Sequence, residues 1–183
     1  MKNITQPRKH EGTKKNRYGN RFVSSCLRGL AIGATVFAVG CAPAPQTSNT
    51  PAAGSSMPRT IVDPYVKIAS ALAEDSTEGI HANAGSIATA ATSLGAPAMK
   101  IDTAAIALAA ASEAAPPDIS NVREKFGTLA EAIDTYMTGE KLTPPDGVKI
   151  AVCPMVHKPW MQTAENIQNP YYGKEMSTCG NFR

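Results

Sequence analysis

The sequence predicts an all-α protein, an up-and-down four-helix bundle with an irregular, Cys- and Met-bearing C-terminal segment packed on it. Four successive segments between about residue 61 and residue 139 repeat apolar residues at steps of three and four, which is typical of amphipathic helices. Proline or glycine stops the second and third segments. The connections are short, which favours antiparallel packing of neighbouring helices. Alanine is frequent on the apolar stripes, so the helices are expected to approach closely while burying little area.

The first two helices are placed by their caps and stops. Asp63 is the predicted N-cap of the first helix, with Pro64 at the first helical position, and this helix runs to about residue 75. The second helix is expected over about 76–94, where Gly95 and Pro97 stop it. The two apolar stripes are formed by Val62, Tyr65, Ile68, Leu72, Ile80, Ala84, Ile87, Ala91 and Leu94.

The third and fourth helices follow the same pattern. The third is expected over about 98–115 and ends at Pro116 and Pro117. Asp118 is the predicted N-cap of the fourth helix, whose apolar period fades at about residue 139. Their stripes are formed by Ile101, Ala104, Ala105, Leu108, Ile119, Val122, Phe126, Leu129, Ile133 and Tyr136.

The formal charge of +3 conceals an uneven distribution of charge along the chain. Residues 1–41 carry eight Lys and Arg against one acid, whereas residues 42–183 carry ten basic and fourteen acidic residues. The mildly acidic remainder has no cluster of Lys and Arg. Because nucleic-acid binding requires such a basic surface, no nucleic-acid partner is predicted.

Residues 1–41 have the organisation of a secretory signal. A polar, basic region is followed by a short apolar run over 29–40 and then by Cys41. The Ala38–Val39–Gly40–Cys41 end resembles a bacterial lipobox, in which the cysteine is acylated and anchors the protein to a membrane. Ala42 after the cysteine implies, by the same resemblance, delivery to the outer membrane. An ordinary cleaved signal, or a buried helix with a free cysteine, is the alternative.

Residues 42–60 are expected to be a disordered tether. Pro, Ala, Ser, Thr and Gly dominate this stretch, and it has no apolar period, so it cannot bury enough surface to offset its ordering entropy. Met57 lies within it and is expected to have no structural role. The helical domain with its C-terminal motif segment is therefore predicted over residues 61–183.

The C-terminal segment holds the side chains with the most distinctive chemistry. Cys153 and Met155 are two residues apart, so an extended chain would put both sulfurs on one face. Met176 and Cys179 are three apart, so one helical turn would do the same. Cu(I) prefers thiolate and thioether donors, and these four residues, with His157 as an optional fifth, are the predicted metal ligands. Zn²⁺ is less well matched because methionine is a poor zinc ligand.

A disulfide is the alternative role of the same two cysteines. Two cysteines in an exported domain usually pair, and a Cys153–Cys179 bridge would close a loop of about 26 residues. Such a loop closure stabilises a fold by roughly 3–4 kcal/mol in the chain-entropy model. The methionines would then fill gaps in the core, and Trp160 would anchor the segment. A dithiol that alternates between the two states is compatible with both roles.

The C-terminal motifs, read together, resemble a known family. The chain contains Cys153–Pro154–Met155, then Trp160, then Ile167 and the run Asn169–Pro170–Tyr171–Tyr172–Gly173, then Met176 and Cys179–Gly180. This order resembles a helical domain of unknown function in bacterial envelope proteins, often appended to the periplasmic adaptor subunits of copper/silver-type heavy-metal efflux pumps. Tyr65, Arg123, Phe126 and Leu129 also match its pattern, and the resemblance covers about residues 61–181. His157 is not part of the pattern, and no adaptor body accompanies the domain here, so a pump-subunit role is not implied.

The sequence thus predicts an exported lipoprotein at the periplasmic face of the outer membrane that binds soft heavy-metal ions, above all Cu(I), in metal resistance or trafficking. Its predicted partners are the membrane, through the lipid on Cys41, and components of a heavy-metal efflux system. The alternative is a disulfide-stapled structural or interaction module of the envelope without a metal site. An enzyme is not predicted, because no nucleophile–base set, paired carboxylates or phosphate-binding loop is present in a recognisable motif.

Overall fold

The computed structural model describes residues 55–183. The predicted signal, the lipidation residue Cys41 and the tether as far as residue 54 lie outside the described residues. Four α-helices come first in the chain: α1 (Arg59–Ala73), α2 (Ile80–Leu94), α3 (Met99–Ser112) and α4 (Ile119–Gly139). Three strands follow: β1 (Lys149–Cys153), β2 (Lys158–Gln162) and β3 (Asn181–Phe182). Short 3₁₀ turns lie at Ala96–Ala98 and Gly173–Met176.

The all-α prediction is wrong, because the C-terminal region forms a three-stranded antiparallel sheet. Helix accounts for 56% and strand for 11% of the described residues, so the protein is a mixed helix-and-sheet fold. The strand order is β2–β1–β3, and β1 pairs with both neighbours. The segment predicted to be irregular therefore has a regular hydrogen-bonded frame, and that frame holds the first cysteine of the candidate site.

Helix α1 begins earlier than the cap prediction placed it. It starts at Arg59, so Pro64 lies inside the helix, and Asp63 is not its N-cap. Met57, which was expected to lie in the tether, is 1% exposed. Its backbone N–H donates to Thr143 O at 2.8 Å, which ties the start of the domain to the connection after α4. The apolar pattern extends back to Met57 because this side chain and Ile61 both belong to the core.

The other helices match their predicted positions more closely. Asp118 caps α4 as expected, since its side chain accepts a hydrogen bond from the backbone N–H of Ser120 at 3.0 Å. Helix α2 begins four residues later than predicted, at Ile80, because Gly79 before it adopts a φ of +71°. Helix α3 ends at Ser112, three residues before the predicted end.

The core joins the helices and the sheet into one structure. The helices pack in chain order, α1 on α2, α2 on α3 and α3 on α4, while β2 packs against α1 and α4. Four aromatic rings connect these layers. Tyr65 of α1 stacks on Phe126 of α4 at 5.1 Å between ring centroids, Phe126 contacts Tyr171 at 5.6 Å, and Tyr171 meets Trp160 of β2 edge-on at 5.9 Å. Among the helices of residues 55–183, none is both long enough and apolar enough to cross a membrane.

Candidate functional site

The β1–β2 hairpin determines where three of the predicted ligands lie. Strand β1 ends at Cys153, which pairs with Lys158 across the hairpin, so residues 154–157 form the connecting turn. Cys153 points into the core and is 0% exposed, whereas Met155 at the turn is 59% exposed. His157 is also exposed and has a φ of +54°, a left-handed conformation that closes the turn. The strand therefore ends at Cys153, and the predicted extended chain from Cys153 to Met155 is wrong. The Cys153 side chain is buried, whereas that of Met155 is exposed.

The run Asn169–Pro170–Tyr171–Tyr172–Gly173 forms a turn that is held by the first of these residues. Asn169 is fully buried, and its Oδ1 accepts a hydrogen bond from the backbone N–H of Tyr171 at 2.8 Å. Its own N–H donates to Ser177 O at 2.8 Å, and its carbonyl accepts from the N–H of Gly173 at 3.0 Å. The hydrogen bonds of Asn169 therefore pair its own backbone groups and the first N–H of the turn. They direct the following residues back towards the sheet.

The side-chain amide of Asn169 also links the two cysteines. Its Nδ2 donates to the sulfur of Cys153 at 3.4 Å and to the carbonyl oxygen of Cys179 at 2.7 Å. The β1–β3 register agrees with this closeness, since Val152 lies opposite Asn181, two residues after Cys179. Residues 26 positions apart in the chain are therefore brought to one nitrogen atom. The described residues contain no disulfide between them, and Cys153 is buried whereas Cys179 is half-buried.

Met176 lies beside the second cysteine along the chain. Its carbonyl accepts a hydrogen bond from the backbone N–H of Cys179 at 3.0 Å, which closes the single turn that the three-residue spacing predicted. Met176 is half-buried. Within residues 55–183, no three side chains drawn from His, Cys, Asp and Glu come together as a possible metal site. The candidate site is therefore a pair of cysteines with Met176 next to one of them, and Met155 and His157 belong to the exposed turn.

Gln162 holds the loop before Asn169 by hydrogen bonds, a role that was not predicted from the sequence. Its Oε1 accepts hydrogen bonds from Trp160 Nε1 at 2.9 Å and from the backbone N–H of Gln168 at 3.1 Å. Its Nε2 donates to the carbonyl oxygens of Ala164 and Asn166 at 2.9 and 2.7 Å. Two donors and two acceptor positions are all used, so this buried amide fixes the loop that leads to Asn169.

Arg123 of α4 fastens the same loop to the helices. Its Nε donates to Pro170 O at 3.1 Å, and one terminal nitrogen donates both to Leu72 O at 2.9 Å and to Asp75 Oδ1 at 2.5 Å. The backbone of Gly173 passes so close that a Cβ there would lie 2.0 Å from Asp75 Oδ1. Only glycine fits this position, for two reasons. A side chain would clash with Asp75, and the φ of +55° is one that residues with a side chain rarely adopt. In the sequence, Arg123 was recognisable only as a match to the family's pattern, and its contacts were not predicted.

Asp75 should make the stability of this junction depend on pH. The hydrogen bond from Arg123 holds the pKa of the Asp75 carboxyl below its usual range, with a further contribution from the backbone N–H of Lys174. A carboxyl with a lowered folded-state pKa contributes stability above its unfolded pKa and loses it as the pH falls through the folded value. We expect Asp75→Asn to flatten the fall in melting temperature on acidification. The matched control is Glu74→Gln, whose exposed partner Lys174 is 3.8 Å away. Equal acid sensitivity of Asp75→Asn and the unchanged protein would contradict the assignment.

No protein-family model, no characterised protein and no solved structure matches the chain. The resemblance to the envelope domain associated with metal efflux therefore stays a prediction, and the candidate site rests on its own residues.

Proposed function

We propose that this protein is an envelope lipoprotein that binds a soft metal ion, above all Cu(I), through the thiolates of Cys153 and Cys179. The observation that carries the proposal is the contact of one amide, Asn169 Nδ2, with the sulfur of Cys153 and the carbonyl of Cys179. The amide contacts the sulfur of Cys153 and the backbone of Cys179, so the two cysteines lie on neighbouring segments, and Cu(I) prefers soft donors such as their thiolates in low coordination number. The metal is the cargo of the protein in resistance or trafficking.

The contribution of the other predicted ligands differs from residue to residue. Met176 is half-buried and lies one turn before Cys179, so its thioether is the best candidate for a third donor. Met155 and His157 sit on the exposed hairpin turn and are proposed only as outer donors that meet an arriving ion. Asn169 acts on the ligand rather than on the metal, since its N–H orients the Cys153 sulfur as outer-shell hydrogen bonds orient metal ligands elsewhere.

The test is a competition titration of the reduced protein with Cu(I) and a coloured chelator. We expect one tightly held Cu(I) per protein, binding lost in Cys153→Ser, and binding weakened in Met176→Leu. Met155→Leu is the matched control, because it removes the same thioether from the exposed turn and should bind almost as the unchanged protein does. Affinity should fall at acid pH, since thiolate ligands must be deprotonated. Equal, weak binding by all four proteins would reject the metal site.

The envelope location rests on the N-terminal residues. The basic region, the apolar run and Cys41 support export and lipid attachment, with the membrane and a heavy-metal efflux system as the proposed partners. We expect Cys41→Ser to abolish incorporation of labelled fatty acid and to leave the precursor uncleaved. Cys26→Ser, which removes the other cysteine of the same region, is the control and should be processed normally. Normal acylation of Cys41→Ser would overturn the lipoprotein proposal.

A disulfide-stapled module is the second candidate function, and it is supported by the same position of Cys153 and Cys179 on segments that Asn169 joins. In that case the protein would serve as a structural or interaction domain of the envelope. Counting free thiols in protein taken directly from the envelope separates the two candidates. Two free thiols, or thiols protected only by a removable metal, favour the metal site. No free thiol, together with a lower melting temperature after reduction, favours the staple.

A further inference from the structure

Helix α3 carries two apolar stripes on different sides. The inner stripe is buried in the core and consists of Ile101, Ala104, Ala105 and Leu108. The outer stripe follows steps of four and three on the exposed side and consists of Met99, Thr103, Ile106 and Ala110, in which Thr103 is polar and donates its hydroxyl to Met99 O at 3.0 Å. Met99 is 62% exposed and Ile106 56%. A helix that is apolar on both sides normally packs against a partner on both.

The outer side of the neighbouring helix shows that this exposure is particular to α3. Helix α2 presents hydroxyl side chains to solvent, and several of them bond to carbonyls of their own helix. Ser86 donates to Ala82 O and Thr89 to Gly85 O, both at 3.0 Å. The outer side of α2 is therefore polar and already satisfied, whereas that of α3 presents two large apolar side chains with no charge between positions 103 and 112.

A groove runs beside the outer stripe, between α3 and α4. It has a volume of about 570 Å³ and is lined by Met99, by small side chains such as Ala107, Thr128 and Ala132, and by the charged side chains Lys100, Lys125 and Glu131. Small residues along a groove let a second helix approach closely, with its side-chain ridge between the two walls. The groove adjoins the outer stripe, because Met99 and Thr103 belong to both.

The charges at the two ends of α3 indicate which helix fits. Lys100 and the partly buried Asp102 lie near its N-terminal end, and Glu113 lies just after its C-terminal end; Lys100 and Glu113 are exposed. In the part of the chain that the structure describes, neither belongs to an ion pair. In an antiparallel pair centred on Ile106, position 99 of one copy faces position 113 of the other, so Lys100 of each copy comes next to Glu113 of its counterpart.

We infer that the outer stripe of α3 is a homodimer interface, in which α3 of a second copy packs antiparallel across a two-fold axis near Ile106. The surface is self-complementary, as a two-fold interface requires: the apolar centre meets itself and each end places a cation beside an anion. The inference is independent of the metal proposal, because the candidate site lies in the sheet and its loop.

Sedimentation of the full chain tests the inference first. We expect a concentration-dependent dimer for the unchanged protein and a monomer for Ile106→Glu, which would place two carboxylates against each other at the axis. Ala82→Glu puts the same charge on the exposed side of α2 and should still dimerise. A monomer for the unchanged protein across the accessible concentrations would overturn the inference and leave the stripe to another partner.

Cross-linking tests the geometry without relying on disruption. A residue on a two-fold axis meets itself, so Ile106→Cys should form a disulfide between two copies under mild oxidation, and peptide mass spectrometry should locate it at position 106 of both. Ser86→Cys on α2 is the control and should not form the corresponding link. A dimer that cross-links equally through both positions, or one that survives Ile106→Glu, would contradict the α3 interface.

Discussion

Phe126→Ala is expected to lower the free energy of unfolding by about 3–5 kcal/mol, the cost typical of emptying a buried phenylalanine site. The ring is fully buried and lies between Tyr65 and Tyr171, at 5.1 and 5.6 Å between centroids. Removing it leaves a cavity where α1, α4 and the C-terminal loop meet. Tyr171 cannot fill that cavity readily, because its hydroxyl donates a hydrogen bond to Pro159 O.

Chemical denaturation followed by circular dichroism measures this effect. Phe182→Ala is the matched control, since that ring is 44% exposed on the short edge strand and its loss should cost far less. A similar loss of stability in both variants would mean that the aromatic layer does not hold the helices and the sheet together. A far-ultraviolet spectrum of the unchanged protein dominated by β structure would contradict the helical part of the fold.

Asn169→Leu is expected to have the second-largest effect, because it acts on stability and on the candidate site together. Leucine has the same branching but is bulkier, and it cannot pair with the backbone N–H of Tyr171 or with Cys179 O; each buried group left unpaired costs about 1–3 kcal/mol. The turn would then lose the contact that brings Cys179 to Cys153. Both the free energy of unfolding and the Cu(I) affinity should fall.

Asn169→Asp changes only the donor half of the side chain. The carboxylate can still accept from the N–H of Tyr171, but it cannot donate to the Cys153 sulfur or to Cys179 O. We expect it to weaken metal binding and, because a buried carboxylate then faces the Cys179 carbonyl, to lower the free energy of unfolding as well. Asn166→Leu, at an exposed position of the same loop, is the control for a surface amide. Unchanged Cu(I) affinity in both Asn169 variants would show that this amide has no part in the site.

The helices could be predicted from the sequence because their apolar residues recur with the helical period. The ends of the helices were harder to predict, because burial rather than a capping residue determines where some of them begin or end. Asp63 and Pro64 have the residue types of a helix start, yet burial of Met57 and Ile61 carries α1 back to Arg59. At α4 the cap and the burial pattern agree, and the predicted start at Asp118 is the observed one.

The sheet could not be predicted from the sequence, because its strands lack the usual strand and hairpin signals. Strand β2 contains Pro159, which argues against a strand, and both of its faces are covered, so the alternation of polar and apolar residues is lost. Strand β3 has only two residues, too few for any periodic signal. The hairpin turn at 154–157 contains no glycine, so the usual signal of a short β-hairpin is missing.

Sequence analysis identified the two cysteines of the candidate site but not what brings them together. The contact depends on Asn169, whose amide reaches both, and a single asparagine in a loop carries no signal of such a role. The spacing argument for Met155 assumed an extended chain beyond Cys153, where the structure turns. The three-residue spacing of Met176 and Cys179 was a better guide, because the chain there does form a single turn.

X-ray absorption spectroscopy of the Cu(I)-loaded protein tests the central claim most directly, because it reports the atoms bound to the metal. If Cys153 and Cys179 hold the ion jointly, the first shell should consist of sulfur, with at least two Cu–S contacts. Cys179→Ser should reduce the sulfur count, and Met155→Leu should leave it unchanged. A first shell made of nitrogen and oxygen, or a sulfur shell that is the same in Cys153→Ser and Cys179→Ser as in the unchanged protein, would contradict the account.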